Sequence, residues 1–405
     1  MKYAIILCDG MADRPVEALG WKTPLEAADT PNMDRIAARG RVGRMRTLYD
    51  DLPTGSDVAN LSILGYDPHR YYTGRSPIEA LGLGIPLHAD DTVFRLNLVT
   101  VSNDEPFAEK TMIDHSADKI TTEEAEQLVA ALADALGSDV MRFYPGVSYR
   151  HIFVLSHADY HGTLTPPHDI LGQKIAAYLP AGERSAEFLD MMEKSYAILS
   201  AHPVNQKRVA AGLRPANCLW LWGSGKKPAY EPFSEKNGLD RGRMITAVPL
   251  LEGLAAGMGL EHPKIYGATG DYDTNYAGKA ASAIDALKNG YEFVFVHIEA
   301  PDECGHDGDA VLKQKSIEQI DHQIIGPVYD ALESMGEPYQ LLITPDHATP
   351  VSVRTHTSEM IPFLLCDSRV HTAGSVFTEA AAQESDLVIT DGYTLLGRMM
   401  HDQLN

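Results

Sequence analysis

Thiols and long apolar runs are both scarce in this 405-residue chain. The four cysteines, Cys8, Cys218, Cys304 and Cys366, are scattered and form no CxxC pair, which argues against a disulfide framework and a thiolate zinc site. No stretch reaches the ~18 consecutive apolar residues of a membrane-crossing helix. The N-terminal MKYAIILCDGMAD joins a lysine to an apolar stretch, but that stretch is too short for a secretion signal. Asp9 and Gly10 end it where a cleavage site needs small residues, so it reads as a first strand and a cytoplasmic location is expected. Basic residues are few as well: 34 Lys and Arg face 56 Asp and Glu, a net charge of -22. Such a surface repels nucleic acids and anionic membranes, so neither is an expected partner. A small anionic substrate stays open, because clustered cations or bound metals reverse the field locally. The sequence does not set an oligomeric state.

What is present is a folded protein of ordinary composition, 44% hydrophobic and 22% charged. Its length exceeds what one hydrophobic core supports, which predicts two domains. Residues 3–7, 293–298 (FVFVHI) and 340–344 (QLLIT) are short apolar runs that end at turn or acidic residues. They suit central strands covered on both faces. Helical patterns over 277–289 and 312–335, with a helix-rich stretch over 23–39 ending at Gly40, alternate with them and predict a doubly wound α/β sheet. The middle of the chain differs. Residues 92–102 alternate like a strand with one wet face, 123–136 form an amphipathic helix that Thr121 or Thr122 can cap, and 151–156 read as another strand. Residues 89–246 are therefore expected to be an inserted α+β domain, with the core built from 1–88 and 247–405.

Acidic and histidine residues cluster just beyond the expected strand ends, the edge at which open α/β sheets bind ligands. Asp9 follows the first strand. Asp302 and His306 in PDECGHDGD are four apart and face one another on a helical turn. Asp346 and His347 follow another strand, and His356 stands in RTHTS. Three carboxylates and three imidazoles suffice for two metal ions when a serine or water bridges them. Hard oxygens mixed with imidazole, without thiolate, suit Mn²⁺, Zn²⁺ or Mg²⁺, with manganese favoured. Ser56, in GSDVANLSILG, opens a helical pattern where free backbone N–H groups and the helix dipole favour a phosphoryl group. An N-cap role is equally compatible with its position. No base triad or G-x-S-x-G elbow is visible, so the hydroxyl would have to be activated by a metal. Other nucleotide motifs fail. WGSGKKP (222–228) has Trp220 where a P-loop needs glycine and Lys227 where it needs Ser or Thr, and LGLGIP (81–86) follows a helical pattern.

The motifs CDGMAD (8–13), TPNMDRIA (30–37), GSDVANLSILGYDP (55–68), YYTGRSPIEA (71–80), LTPPHDI (164–170), GATGDYDTNYAGKA (267–280), HIEAPDECGHDGD (297–309), TPDHATP (344–350) and RTHTS (354–358) run nearly the whole length. Together they resemble the cofactor-independent phosphoglycerate mutases, in the archaeal-type branch of the alkaline phosphatase superfamily. The resemblance implies an alkaline-phosphatase-like core with an inserted cap. It implies one metal held by Asp9, Ser56, Asp346 and His347, and a second held by Asp302, His306 and His356. Ser56 would take the phosphoryl group of 3-phosphoglycerate as phosphoserine and return it to the other hydroxyl. Cations would have to hold the glycerate, with Arg150, His151, His168 and Lys279 as candidates. Residues 109–112 (EKTM), 113–121 (IDHSADKIT) and 202–208 (HPVNQKR) also resemble a bacterial subgroup proposed to phosphorylate homoserine, which leaves that acceptor, or a plain phosphomonoesterase, as the alternative. A sulfatase is disfavoured, since residues 57–60 (DVAN) lack the Pro and Arg that flank a sulfatase nucleophile.

Overall fold

The computed structural model describes residues 1–370 and 372–404. The chain divides into two compact units, residues 1–72 with 230–405, and residues 73–229. Among the described residues no helix is long and apolar enough to cross a membrane.

The first unit is built on a seven-stranded sheet in the order Gly242–Ile245, Phe293–Ile298, Lys2–Cys8, Tyr339–Thr344, Ile361–Asp367, Arg41–Met45, Val388–Ile389. The first four strands are parallel, and only Ile361–Asp367 runs against its neighbours. Side chains alternate between two buried faces, which is why these strands read as unbroken apolar runs. Ala4, Ile6, Val294, Val296, Leu341 and Ile343 pack on Ala283 and Leu287 of the Tyr276–Lys288 helix and on Ile317, Ile324 and Val328. Ile5, Leu7 and Phe295 on the other face are equally buried, and Phe233 lies against Phe293 at 4.4 Å between ring centroids. Cys8 is level with Ile298 and Leu7 with Thr344, so the chain leaves all three central strands at one edge.

The helix expected over 312–335 is interrupted. Helices Ala310–Ile320 and Gly326–Met335 are joined by a π-helical turn, Asp321–Ile325. Pro327 has no N–H to continue the ladder. The wider turn also lets the fully buried Asp321 carboxylate accept from the backbone N–H groups of Asn32 (3.1 Å) and Met33 (2.7 Å). Those are free donors in the first turn of the Pro31–Ala37 helix, whose N-cap Thr30 makes no side-chain cap bond.

The second unit is an antiparallel sheet around Thr92–Val101, which pairs with Met112–Asp114, Arg150–Leu155 and Cys218–Lys226, with Met141–Tyr144 on the far side of Arg150–Leu155. Helices Thr122–Leu136 and Ser185–Ala201 cover one face through Leu128, Leu132, Phe188 and Met192. Thr121 caps the first of them, its Oγ accepting from Glu124 N–H at 3.3 Å. The division falls at 72/73 and 229/230 and not at the expected 88/89 and 246/247. Ala80, Ile85 and Leu87 pack on Val93, Ile152 and Val154 of the second sheet, whereas Gly242–Ile245 is an edge strand of the first.

Candidate metal centre

Three strand ends and two short helices deliver the site. Asp9 directly follows the Lys2–Cys8 strand, and Gly10 turns the chain away with φ +62°. The Ala300–Asp307 helix places Asp302 and His306 on one face, with His306 Nε2 3.2 Å from Asp302 Oδ2. Asp346 and His347 follow Tyr339–Thr344, and His356 lies in the loop beyond. The Ser56–Ile63 helix starts at Ser56, but Gly55 is its N-cap and Ser56 makes no cap bond. Its hydroxyl instead faces His347 Nε2 at 3.1 Å.

The seven groups form one connected cluster. His347 Nε2 is 3.5 Å from Asp9 Oδ1 and 3.3 Å from Asp346 Oδ2. His356 Nε2 is 3.6 Å from Asp302 Oδ1 and 3.1 Å from His306 Nε2. Asp9, Asp346 and His347 present ligand atoms close enough to hold one cation, and so do Asp302, His347 and His356. Donors about 2.0–2.2 Å from one tetrahedral cation lie about 3.3–3.6 Å apart, close to the separations found here.

The tautomers show what belongs between them. His306 Nδ1 faces the Arg354 carbonyl at 3.1 Å and His356 Nδ1 faces the Thr54 carbonyl at 3.4 Å, so each Nδ1 carries the proton. Thr349 Oγ donates to Asp302 Oδ1 and accepts from His347 Nδ1 at 3.2 Å. With Nδ1 so engaged, all three imidazoles turn Nε2 inward, the nitrogen that metal-ligating histidines offer once it is free of a proton. Asp9 Oδ1 is buried without a hydrogen-bond partner, and among the described residues no Lys or Arg pairs with Asp9, Asp302 or Asp346. Burial, then Asp346 and Asp302, push the Asp9 carboxyl well above the usual range. Burial and the charges of Glu303 and Asp302 push Glu299 up to about 8. The hydrogen bond to Asp302 raises His306 to about 9, whereas burial lowers His347. Converging carboxylates and inward-facing Nε2 atoms fit divalent cations, which would supply the missing positive charge.

Several supporting residues lay outside the sequence reading. His297, fully buried, sets Nε2 2.8 Å from Asp9 Oδ2. Its only signal is a histidine inside an otherwise apolar strand. Asn60 Nδ2 donates to Asp346 Oδ2 at 3.0 Å and to the Ser56 carbonyl at 2.9 Å, and Thr47 Oγ donates to the Asp346 carbonyl at 2.5 Å. Lys313 and Asp13, both fully buried side chains, pair at 2.7 Å, and Lys313 also donates to the Thr349 carbonyl at 2.9 Å.

The four substrate candidates fare differently. Lys279 is in the first unit, 1% exposed, with Nζ donating to the carbonyls of His297 (3.1 Å) and Thr269 (3.3 Å). Burial lowers it to about 8, with Glu299 opposing. The other three belong to the second unit. Arg150 is exposed, its guanidinium 5.6 Å from the Tyr149 ring, and His168 stands edge-on to Trp222 and His115. His151 is not the cation expected of it. It is 2% exposed, burial takes it to about 3, and Nδ1 accepts from Gly146 N–H at 3.0 Å, tying a turn.

Comparison with known proteins bears on this geometry. The chain is 46% identical over 401 residues to the 2,3-bisphosphoglycerate-independent phosphoglycerate mutase of Methanosarcina mazei, covering 98% of this chain and 99% of that protein. It belongs to that family. The corresponding probable phosphoglycerate mutase of Geobacter sulfurreducens is 44% identical over 402 residues, 99% of this chain and 100% of that protein. The family's sequence profile matches residues 37–205. A solved structure of a Pyrococcus horikoshii protein superposes with a TM-score of 0.82 at 32% identity, covering 100% of this chain and 97% of that one. The cofactor-independent phosphoglycerate mutase of Thermoplasma acidophilum gives 0.71 at 30% identity, with both chains fully covered.

Proposed function

We propose that this phosphoglycerate mutase family member interconverts 3-phosphoglycerate and 2-phosphoglycerate through a phosphoserine at Ser56, with two divalent cations at the centre described above. The observation that carries this reading is the convergence of the Ser56 hydroxyl with six carboxylate and imidazole groups from distant parts of the chain. Bound there, manganese or another divalent cation would lower the serine hydroxyl's pKa and neutralise phosphoryl oxygens. Asp9, Ser56, Asp346 and His347 would hold one ion, and Asp302, His306 and His356 the other.

Ser56 Oγ gives up its proton and forms a bond to phosphorus as the P–O bond to C3 breaks, the C3 oxygen leaving with the electron pair and taking up that proton as a hydroxyl. The glycerate stays bound, and its C2 hydroxyl then gives up its proton and takes the phosphoryl group back, while Oγ leaves with the electron pair of the broken Oγ–P bond and regains a proton. In the first turn of the Ser56–Ile63 helix Val58 N–H is taken by Asp57 Oδ1 at 3.0 Å, and the N–H groups of Ser56 and Asp57 are the ones proposed as donors to the transferring group. Arg150 and His168 are the proposed partners of the glycerate, whereas Lys279, buried with its ammonium on two backbone carbonyls, supports the strand end instead. The relatives reported above favour phosphoglycerate over homoserine as acceptor. Such a soluble phosphoester isomerisation belongs to glycolysis in the cytoplasm.

Ser56→Ala tests the assignment. The variant should bind metal normally and show no conversion of 3-phosphoglycerate in an enolase-coupled assay, and normal turnover would refute the nucleophile. Exhaustive chelation should silence the wild type reversibly. Steady release of inorganic phosphate in place of 2-phosphoglycerate would identify a phosphomonoesterase instead.

A further inference from the structure

Asp9 has two carboxylate oxygens in different situations. Oδ1 is buried, without a hydrogen-bond partner, and faces His347 Nε2. Oδ2 is 2.8 Å from His297 Nε2. His297 lies on the Phe293–Ile298 strand, level with Leu7 on the neighbouring Lys2–Cys8 strand. Asp9 lies two residues beyond Leu7, so period-2 alternation puts the imidazole and the carboxylate on one face of the sheet.

The other ring nitrogen is also fixed. His297 Nδ1 is 3.2 Å from Thr246 Oγ, and that oxygen already accepts from Val248 N–H at 3.1 Å. An ionised Asp9 Oδ2 can only accept, so the proton of the neutral ring lies on Nε2, and the Thr246 hydroxyl directs its own proton at Nδ1. The ring has no exposed surface, so water cannot substitute at either nitrogen. Lys279 Nζ, bonded to the His297 carbonyl, secures the strand end from the backbone side.

We infer that His297 is a positioning residue: through the Thr246–His297–Asp9 chain it occupies Oδ2, so that Asp9 offers Oδ1 alone to a cation. A carboxylate free to rotate would chelate through both oxygens or swing away from His347. Held at Oδ2, it gives one directed bond. The inference rests on the reading of Asp9 as a metal ligand, and the two fail separately in one experiment.

The full-length protein, stripped by chelation, is titrated with Mn²⁺ alone and followed by calorimetry and by the electron paramagnetic resonance of the free ion. The wild type should show two binding classes, and absence of any binding would overturn the metal reading itself. In His297→Leu, one class should weaken by about 10–100-fold, the range for loss of an outer hydrogen-bond partner, while the other holds within about threefold. His297→Gln, whose amide reaches the position of Nε2, should restore most of the affinity. Wild-type affinity in both classes of His297→Leu, or a glutamine variant as weak as the leucine one, would overturn the inference. Should His297→Leu fail to fold, Thr246→Val keeps the imidazole and removes only the hydroxyl that sets its tautomer. It should weaken the same class several-fold, and unchanged binding there would be equally decisive against the inference.

Discussion

Replacing Gly10 with alanine tests whether the turn after the first strand is dictated by the metal centre. Gly10 has φ +62°, and a Cβ built on it would lie 2.6 Å from Asp302 Oδ1 and 2.7 Å from both Cα and Cβ of Asp302. The backbone of Asp302 would have to retreat by about 0.7 Å to reach the 3.4 Å at which ordinary contact begins. A side chain in the left-handed region costs about 1–2 kcal/mol, and forcing a methyl into close-packed surroundings adds about 1–3 kcal/mol. Gly10→Ala should therefore lose about 2–5 kcal/mol in urea denaturation. Asp302 moves with its backbone, and a displacement on the order of 1 Å at a reacting centre costs about 10²-fold in rate. Gly20→Ala is the control. Its φ is +68°, but nothing lies within 4 Å of the added methyl, so it should show the backbone cost alone with full mutase activity. The reasoning is refuted if Gly10→Ala behaves like Gly20→Ala in both assays.

Lys313→Met should destabilise the fold by about 3–5 kcal/mol in the same denaturation experiment, because it strands the fully buried Asp13 charge; a loss under 1 kcal/mol would contradict that. Thr349→Val removes the hydroxyl that meets both His347 Nδ1 and Asp302 Oδ1, so a Mn²⁺ titration should show both binding classes weakened, and an effect confined to one would separate the two ligands. In the metal-free chain Asp302 raises His306 to about 9 from an ordinary 6.5, so at pH 7 an incoming cation must displace a proton, and affinity should climb as pH rises towards 9. Calorimetry in buffers of different ionisation enthalpy should give buffer-dependent heats, and identical heats would exclude proton release. The same raised value means that the His306 ion pair stabilises the empty protein fully below about pH 6.5 and ceases to do so as pH passes about 9, a trend that thermal melts of chelated protein should follow.

Legibility in the sequence tracked the kind of signal each residue leaves. Asp9, Asp302, Asp346 and His347 stand just past apolar runs, so pattern alone put them near one sheet edge, while their division between two cations came from the family resemblance. His297 escaped because a single imidazole in FVFVHI has the look of a core side chain, and only the register against Leu7 shows that it faces Asp9. Thr349 and Asn60 escaped because a single hydroxyl in a loop or amide within a short helix leaves no periodic trace. The unit boundaries were misplaced because the Arg75–Gly82 helix continues the run of motifs from the first unit while its apolar residues pack on the second sheet. The break at Asp321 was only half visible for a related reason: Pro327 marks it locally, but the Asn32 and Met33 N–H groups that the Asp321 carboxylate serves lie some 290 positions away.

The three strands that feed the metal centre are adjacent, Phe293–Ile298, Lys2–Cys8 and Tyr339–Thr344, with Lys2–Cys8 hydrogen-bonded on both sides. Their amides can trade hydrogen with solvent only when the whole sheet opens. If the centre holds cations as proposed, their withdrawal should leave that scaffold standing, so that depletion and reloading amount to emptying and refilling a rigid vessel. Recovery of activity on return of Mn²⁺ should then be limited by diffusion of the ion and loss of its hydration shell, far faster than any refolding of a 405-residue chain.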